Sequence, residues 1–173
     1  MCAVSTDRRR ALRGSILFFF VGPFLEAVVG PAVLTAGFSR GDGVLDAVGF
    51  QVAGGALTVA GALGVWATFV AFVRDGAGTP SPLAPTRHLM VRGPYRHVRN
   101  PMYVATAAII LGEGLLLAQW ILLAAAAVYV LALTALLLWS EEPQMAARFG
   151  AEWTAYRAGV RRWVPRVKGW RAG

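Results

Sequence analysis

The sequence is poor in cysteine, histidine and charge. Its 173 residues include one cysteine, Cys2, so an intramolecular disulfide and a cysteine-based metal cluster are excluded. We assign Cys2 no role. There are two histidines, and charged residues make up 15% of the chain. No spacing among these residues predicts a metal site.

Charge is absent above all from several long runs of about 20 residues, which are long enough to cross a bilayer. Apolar residues make up 57% of the chain, compared with roughly 45–50% in soluble proteins. The mean hydropathy is +0.56. A soluble helical protein with a very apolar core is the alternative, but uncharged runs of this length favour a membrane protein.

The formal charge of +8 is concentrated at the ends of the apolar runs. Basic residues in such positions set membrane topology and contact anionic lipid headgroups, so a nucleic acid partner is not needed to explain them. All basic clusters fall on one side of a four-helix arrangement. The positive-inside rule therefore predicts a protein of the cytoplasmic membrane with both termini in the cytoplasm.

Four apolar runs predict the fold class, an all-α polytopic transmembrane bundle in a single domain over 1–173. The runs cover 14–38, 44–73, 102–118 and 120–139. The last two are joined by too few residues for anything but a tight helical hairpin. The first run is interrupted by residues that kink or break helices, which are Pro23, Gly30 and Pro31. The second run carries small residues that favour close helix packing, which are Gly54, Gly55, Gly61 and Gly64.

After the hairpin come Ser140, Glu141, Glu142 and Pro143, and an amphipathic segment follows. Its apolar residues at helical spacing are Met145, Phe149, Trp153, Tyr156 and Val160. Its basic residues on the opposite side are Arg148, Arg157 and Arg161. This pattern predicts a cytoplasmic helix that lies on the membrane surface or folds back on the bundle.

The stretch 87–103 between the second and third runs is basic and is interrupted by glycine and proline residues. It contains both histidines, four arginines, two tyrosines and two prolines. Its end predicts a helix start, with the Asn100 side-chain oxygen as cap and Pro101 at the first helical position. The predicted topology brings this stretch to the same cytoplasmic boundary as Glu141 and Glu142.

Arginines and carboxylates at a membrane boundary are often explained by snorkelling and ion pairing alone. The density of polar groups here favours a binding site instead. Arginine donors, tyrosine hydroxyls, N–H groups at a helix start and two adjacent carboxylates suit a zwitterionic ligand with an amino-acid end.

The motifs of this half of the chain also resemble a known family. They are Arg-Gly-Pro-Tyr-Arg-His-Val-Arg-Asn-Pro-Met-Tyr over 92–103, Gly112–Glu113, Glu141–Glu142, Phe149–Gly150, Tyr156 and Val164–Pro165. Together they resemble the isoprenylcysteine carboxyl methyltransferase and phospholipid methyltransferase superfamily. The resemblance implies that 76–173 encloses S-adenosylmethionine, whereas 1–75 contributes two generic transmembrane helices.

The resemblance implies cofactor-binding positions, residue by residue. These are His88, Gly93, Tyr95, Arg99, Asn100, Pro101, Tyr103, Glu141 and Glu142. We hypothesise that Glu141 or Glu142 holds the methionyl ammonium and that Arg99 holds a carboxylate of cofactor or acceptor. Tyr95 and Tyr103 would then orient ribose or substrate. The family often has Arg-His-Pro where this chain has Arg99-Asn100-Pro101, and asparagine cannot be a general base.

The implied reaction is methyl transfer to a lipophilic or membrane-partitioned acceptor, which is a carboxylate, an amine or a thiol. The predicted catalytic residues are Arg99, Tyr103 and Glu113. One alternative is an NADPH-dependent membrane reductase of the sterol-reductase type, for which the chain is short. The other is a non-enzymatic membrane accessory protein that retains the shape of the pocket.

Two carboxylates lie within the apolar runs. At about 1.5 Å per residue, Glu26 lies roughly 20 Å beyond Arg13 and Glu113 roughly 18 Å beyond Pro101, which predicts a similar depth. Intramembrane acids usually face a bundle interior. They predict the polar end of a substrate tunnel, with protonated carboxyls bonded to neighbouring carbonyls as the alternative. For His97, an ordinary hydrogen-bonded histidine is favoured over a base.

Overall fold

The computed structural model describes residues 20–75 and 89–171, and every regular element within these ranges is helical. Helix α1 is π-helical over Phe20–Val29 and α-helical over Gly30–Leu34. The other helices are α2 (Val48–Asp75), α3 (Pro101–Leu116), α4 (Trp120–Leu136) and α5 (Glu142–Gly159). Short 3₁₀ turns cover Val44–Asp46 and Gly93–Arg96. Cys2, His88 and the segment 76–85 lie outside the described residues.

Two helical stretches are long and apolar enough to cross a membrane. They are Val48–Ala71 and Trp120–Gly159, and Gly22–Leu34 and Pro101–Leu116 are shorter apolar helices. Large apolar side chains on the long helices face outward, as in Leu63, which is 63% exposed, and Leu131, which is 70% exposed. Helices of this kind suit contact with lipid tails. The four-span topology with cytoplasmic termini stays a prediction.

Helices α2 and α3 cross at very short distance, as the glycines of the second run predict. A Cβ atom on Gly54 would lie 2.6 Å from the Gly112 carbonyl oxygen, and one on Gly61 would lie 2.7 Å from the Ala105 carbonyl oxygen. Backbone therefore meets backbone at both positions. Gly55 has only an ordinary contact, at 3.9 Å.

The hairpin between α3 and α4 is as tight as predicted, with Ala118 at φ 54°. The Gly41 backbone N–H donates to the Leu117 carbonyl at 2.8 Å, and Gln119 Nε2 donates to the Ser39 carbonyl at 2.8 Å. The loop between α1 and α2 thus meets the hairpin turn at one end of the bundle. The basic stretch lies at the other end.

Residues 140–143 are helical. A π-helical segment, Leu137–Glu141, joins α4 directly to α5. Pro143 causes no break, since helical dihedral angles continue through Glu141 and Glu142 before it. The break lies instead at Gly150, whose φ of 49° is available to glycine at little cost. It turns the second half of α5 back toward the basic stretch.

The second half of α5 packs on the rest of the protein through a buried face. Trp153, Tyr156 and Val160 are buried in one cluster. The residues packed against them are Leu89, Val91, Met145, Phe149 and Trp170. The helix therefore packs on the segments around Leu89 and Trp170 through this face, and its position relative to the membrane stays a prediction.

Candidate functional site

The basic stretch is held by the segment 161–170, which we call the strap. Three backbone hydrogen bonds join the strap to the basic stretch. The Arg99 N–H donates to the Arg161 carbonyl at 2.9 Å. The N–H groups of Arg166 and Trp170 donate to the carbonyls of His97 and Arg96, respectively, both at 2.8 Å. His97 Nδ1 donates to the Arg166 carbonyl at 2.8 Å. His97 therefore holds the strap in place, which agrees with the prediction that it is an ordinary hydrogen-bonded histidine and not a base.

The helix start at the end of the stretch is confirmed in part. Pro101 occupies the first turn of α3, and Asn100 stands at the capping position. The Asn100 side chain makes no capping hydrogen bond, so that prediction is wrong. Its amide instead donates to the Arg162 carbonyl at 3.5 Å. The Asn100 side chain is thus oriented with its amide nitrogen toward the strap, and its oxygen makes no hydrogen bond to the helix N–H groups.

A cavity of about 160 Å³ lies between the basic stretch, the start of α3, and the junction of α4 with α5. Six of the predicted site residues line it: Tyr95, Arg99, Asn100, Tyr103, Glu141 and Glu142. The remaining lining residues are Leu89, Met90, Met102, Leu137, Met145, Trp153 and Tyr156. The polar groups predicted to meet at this boundary do so.

Glu142 forms salt bridges with three arginines beside the cavity. Its side chain is 8% exposed, and its oxygens lie 2.8 Å from Arg162 Nε, 3.2 Å from Arg99 Nη1 and 3.9 Å from Arg157 Nε. The Arg162 contact is a hydrogen bond. A buried carboxylate with several cationic partners is stabilised by them and in turn holds them in place.

Arg99 is ion-paired with Glu142 through Nη1, yet its guanidinium keeps hydrogen-bonding capacity among the described residues. Its side chain is 10% exposed, and its guanidinium carbon lies 5.7 Å from the centre of the Trp153 ring. Burial lowers the pKa of Arg99, with the charge of Glu142 acting in the opposite direction. Nε and Nη1 are buried and have no hydrogen-bond acceptor among the described residues. Such donors fit an anionic group of a ligand.

Tyrosines orient the remaining polar groups. The Tyr103 hydroxyl donates to Glu141 Oε1 at 2.9 Å, so one carboxylate oxygen is engaged. The Tyr156 hydroxyl donates to the Tyr95 carbonyl at 2.7 Å and ties α5 to the basic stretch. Burial, assisted by nearby acidic groups, raises the pKa of Tyr95 well above its ordinary value. Tyr95 therefore stays a neutral phenol at physiological pH.

Other predicted site residues do not line the cavity. Gly93 has φ +55° and starts the 3₁₀ turn that carries Tyr95, so its role is conformational. Pro101 is buried in the first turn of α3. Glu113 lies ten residues after Tyr103 on the same helix, about 15 Å away. Its predicted catalytic role stays a prediction. His88 lies outside the described residues.

The two carboxylates of the apolar runs lie in different surroundings. Glu26 accepts a hydrogen bond from the Tyr129 hydroxyl at 2.9 Å, whereas Glu113 Oε2 is buried without a hydrogen-bond partner among the described residues. The glycines beside Glu113 are packed, Gly112 against Thr58 of α2 and Gly114 against α4. The similar depth of the two carboxylates stays a prediction.

Two aromatic residues of the cavity had no predicted role in it. Trp153 and Tyr156 are buried, although Trp153 resembles an interfacial anchor by position in the sequence. The sequence contained a signal for their burial, since both residues lie at helical spacing on the apolar face of α5. Their contact with Arg99 and Tyr95 depends on the turn at Gly150, which that spacing does not show.

Comparison with known proteins identifies the family. A family model described as phospholipid methyltransferase matches residues 50–152, which is more than half of the chain and includes α2, α3, α4 and half of α5. The match begins earlier than the resemblance in the C-terminal half predicted. No curated protein and no solved structure matches the chain significantly. This membrane protein therefore belongs to the phospholipid methyltransferase family.

Proposed function

We propose that the protein transfers a methyl group from S-adenosylmethionine to a lipophilic or membrane-partitioned acceptor at the cytoplasmic face of the membrane. The observation that carries the proposal is one cavity with opposite charges. It is lined by the Glu141 carboxylate and by Arg99, whose Nε and Nη1 have no hydrogen-bond acceptor among the described residues. Such a pair is complementary to the carboxylate and ammonium of an amino-acid end.

The types of residue that line the cavity suit S-adenosylmethionine. Arg99 would hold the carboxylate of the methionyl group, and Glu141 would hold its ammonium. Met90, Met102 and Met145 surround the apolar part of the cavity. Ligand sites usually have roughly 300–1,000 Å³, so these flexible side chains would move to admit the whole cofactor. When bound, the cofactor supplies a methyl group on a positively charged sulfur.

The other residues of the site position these two charges. Glu142 is engaged by three arginines, so of the two adjacent carboxylates Glu141 is the better candidate for the ammonium. Glu142 instead holds Arg99 in place. Tyr103 orients Glu141 through the 2.9 Å hydrogen bond. Positioning of this kind supplies much of the rate in a displacement that needs no covalent intermediate.

The acceptor would reach the site laterally, between helices. The cavity lies where the helices meet the basic stretch, while the long helices expose apolar side chains over most of their length. A membrane-partitioned acceptor placed among them would present its polar end to the cavity. A water-soluble cofactor would enter from the cytoplasmic side.

Replacing Glu141 by glutamine is expected to weaken the binding of S-adenosylhomocysteine about tenfold, since loss of one charge-assisted hydrogen bond costs roughly 1.5 kcal/mol. Isothermal titration of the detergent-purified protein measures it. Glu152→Gln is the matched control, because it removes the same charge from an exposed site on α5. It should bind like the wild-type protein.

Titration with NADPH on the same samples separates the proposal from the alternatives. Saturable binding of S-adenosylhomocysteine that is weakened in Glu141→Gln supports the methyltransferase. Binding of NADPH alone would assign the cavity to a reductase. Absence of binding by both ligands, in protein shown to be folded, would favour an accessory protein without enzymatic activity.

A further inference from the structure

A second cavity, of about 280 Å³, lies where the basic stretch meets the end of the strap. Its lining residues are Val91, Arg92, Arg96, Trp170 and Arg171. It shares no lining residue with the cavity of Arg99 and Glu141. A lining with several arginines and no acid suits a phosphate group, because guanidinium N–H groups match phosphate oxygens in charge and geometry.

Arg96 is held in place but keeps donors for a ligand. Its backbone carbonyl accepts from the Trp170 N–H at 2.8 Å, and its Nε donates back to the Trp170 carbonyl at 2.9 Å. Its two Nη groups make no hydrogen bond with the described residues. A guanidinium that is already oriented loses less conformational freedom when it binds an anion.

The surroundings of the second cavity are basic throughout. Neither the basic stretch 87–103 nor the segment 161–171 contains an aspartate or a glutamate. Glu142 pairs with Arg99 and Arg162, but Lys168 and Arg171 form no salt bridge with the described residues. A positive potential therefore remains at this cavity, and an anion would neutralise it.

Exposed apolar side chains beside these cations favour a membrane lipid as the source of the anion. Val167 is 97% exposed and Val164 is 55% exposed, and both lie on the strap. They alternate with the exposed cations Arg166 and Lys168. Segments with exposed apolar and basic residues bind at a bilayer surface, where the apolar groups enter the headgroup region and the cations meet phosphates. A soluble phosphate would leave the valines in water.

We propose that the second cavity binds the phosphate group of an anionic membrane lipid that is not the methyl acceptor. Arg96 and Arg171 would hold the phosphate oxygens, and Val167 would contact the lipid beside the strap. The bound lipid would add a further link between the basic stretch and the end of the strap. Because the two cavities are lined by different residues, this inference does not depend on the proposed function.

The first test compares two lipids that share the phosphate and the acyl chains but differ in net charge. Detergent-purified protein is titrated calorimetrically with dihexanoyl phosphatidylglycerol and with dihexanoyl phosphatidylcholine, and the heat of mixing with empty micelles is subtracted. We expect saturable binding of phosphatidylglycerol and about tenfold weaker binding of phosphatidylcholine, because the choline cation is repelled by the arginines. Neither lipid has an N–H group to be methylated. Equal affinities would overturn the proposal.

A third ligand separates a lipid from a soluble anion. Glycerophosphoglycerol is the deacylated form of phosphatidylglycerol and carries the same phosphate diester. We expect it to bind about tenfold more weakly than the lipid, since its contacts with apolar side chains are lost. If it binds as tightly as the lipid, the cavity belongs to a soluble phosphate compound and the proposal fails.

Substitutions then locate the lipid. Arg171→Gln should weaken phosphatidylglycerol binding about tenfold through loss of one charge-assisted contact. Arg171 makes no hydrogen bond or salt bridge with the described residues, so the fold should be kept. Arg161→Gln is the matched control, because it removes the same charge from an exposed position of the strap outside the cavity. It should bind phosphatidylglycerol like the wild-type protein.

Two results with these variants would refute the assignment to the second cavity. One is unchanged phosphatidylglycerol binding in folded Arg171→Gln protein. The other is an equal loss of binding in Arg161→Gln and Arg171→Gln, which would show that the lipid senses the basic surface as a whole. Loss in Arg171→Gln alone supports the site.

Discussion

Replacement of Glu142 by glutamine is expected to lower the free energy of unfolding by about 3–5 kcal/mol, the range for removing one partner of a buried ion pair. Glu142 is the carboxylate shared by Arg99, Arg157 and Arg162. Of these arginines, Arg99 and Arg162 have side chains that are 10% and 19% exposed. Without Glu142, two buried cations face each other with no countercharge. Thermal or denaturant unfolding in detergent measures the loss.

The matched control is Glu152→Gln, which removes an exposed carboxylate from the same helix and should change stability by less than about 0.5 kcal/mol. A second control also removes the positive charge of Arg162. In Glu142→Gln combined with Arg162→Met, part of the lost stability should return, because one uncompensated cation is gone. If Glu142→Gln is as stable as the wild-type protein, the arginine cluster does not support the fold.

Replacement of Gly112 by alanine is expected to cost about 3 kcal/mol, the upper end of the range for overpacking. The added Cβ would lie 2.5 Å from Thr58 Oγ1, 2.7 Å from the Thr58 nitrogen and 2.8 Å from the Gly54 carbonyl oxygen. Two of the three atoms belong to the backbone of α2 and cannot rotate away. Helices α2 and α3 must therefore separate, which a thermal unfolding series detects.

Gly49→Ala is the matched control for that experiment. Gly49 also lies in an apolar helix, but a Cβ there meets nothing within 4 Å. Alanine should stabilise α2 by up to about 1 kcal/mol, because it has the higher helix propensity. Equal stability of the Gly112→Ala and Gly49→Ala proteins would show that the close crossing of α2 and α3 is not required.

The meeting of polar groups in the cavity could be predicted from the sequence. Basic residues mark one side of the membrane, and a tight hairpin returns the chain to that side. These two facts bring Arg99 and Tyr103 close to Glu141 and Glu142 without any knowledge of side-chain packing. The glycines of α2 likewise predicted close packing with a neighbouring helix, because small residues permit that approach whatever the neighbour is. The structure identifies the neighbour as α3.

Features that depend on helix rotation and on distant partners could not be predicted. Asn100 has the residue type of a helix cap, yet its amide nitrogen donates to a carbonyl of the strap and its oxygen makes no capping hydrogen bond. The turn at Gly150 decides that Trp153 enters the cavity. The partner of Glu26 is Tyr129, which follows 103 residues later, and counting residues from the membrane boundary cannot find it because α1 is not a regular α-helix.

The strap also fixes an order of events during synthesis. Residues 161–170 leave the ribosome after the five described helices, and only then can Arg96, His97 and Arg99 of the basic stretch form their backbone hydrogen bonds with the strap. The helices can therefore insert into the membrane before the strap fixes the basic stretch, which lines the cavity through Tyr95, Arg99 and Asn100. Insertion and completion of the cavity would thus be separate steps in the biogenesis of the protein.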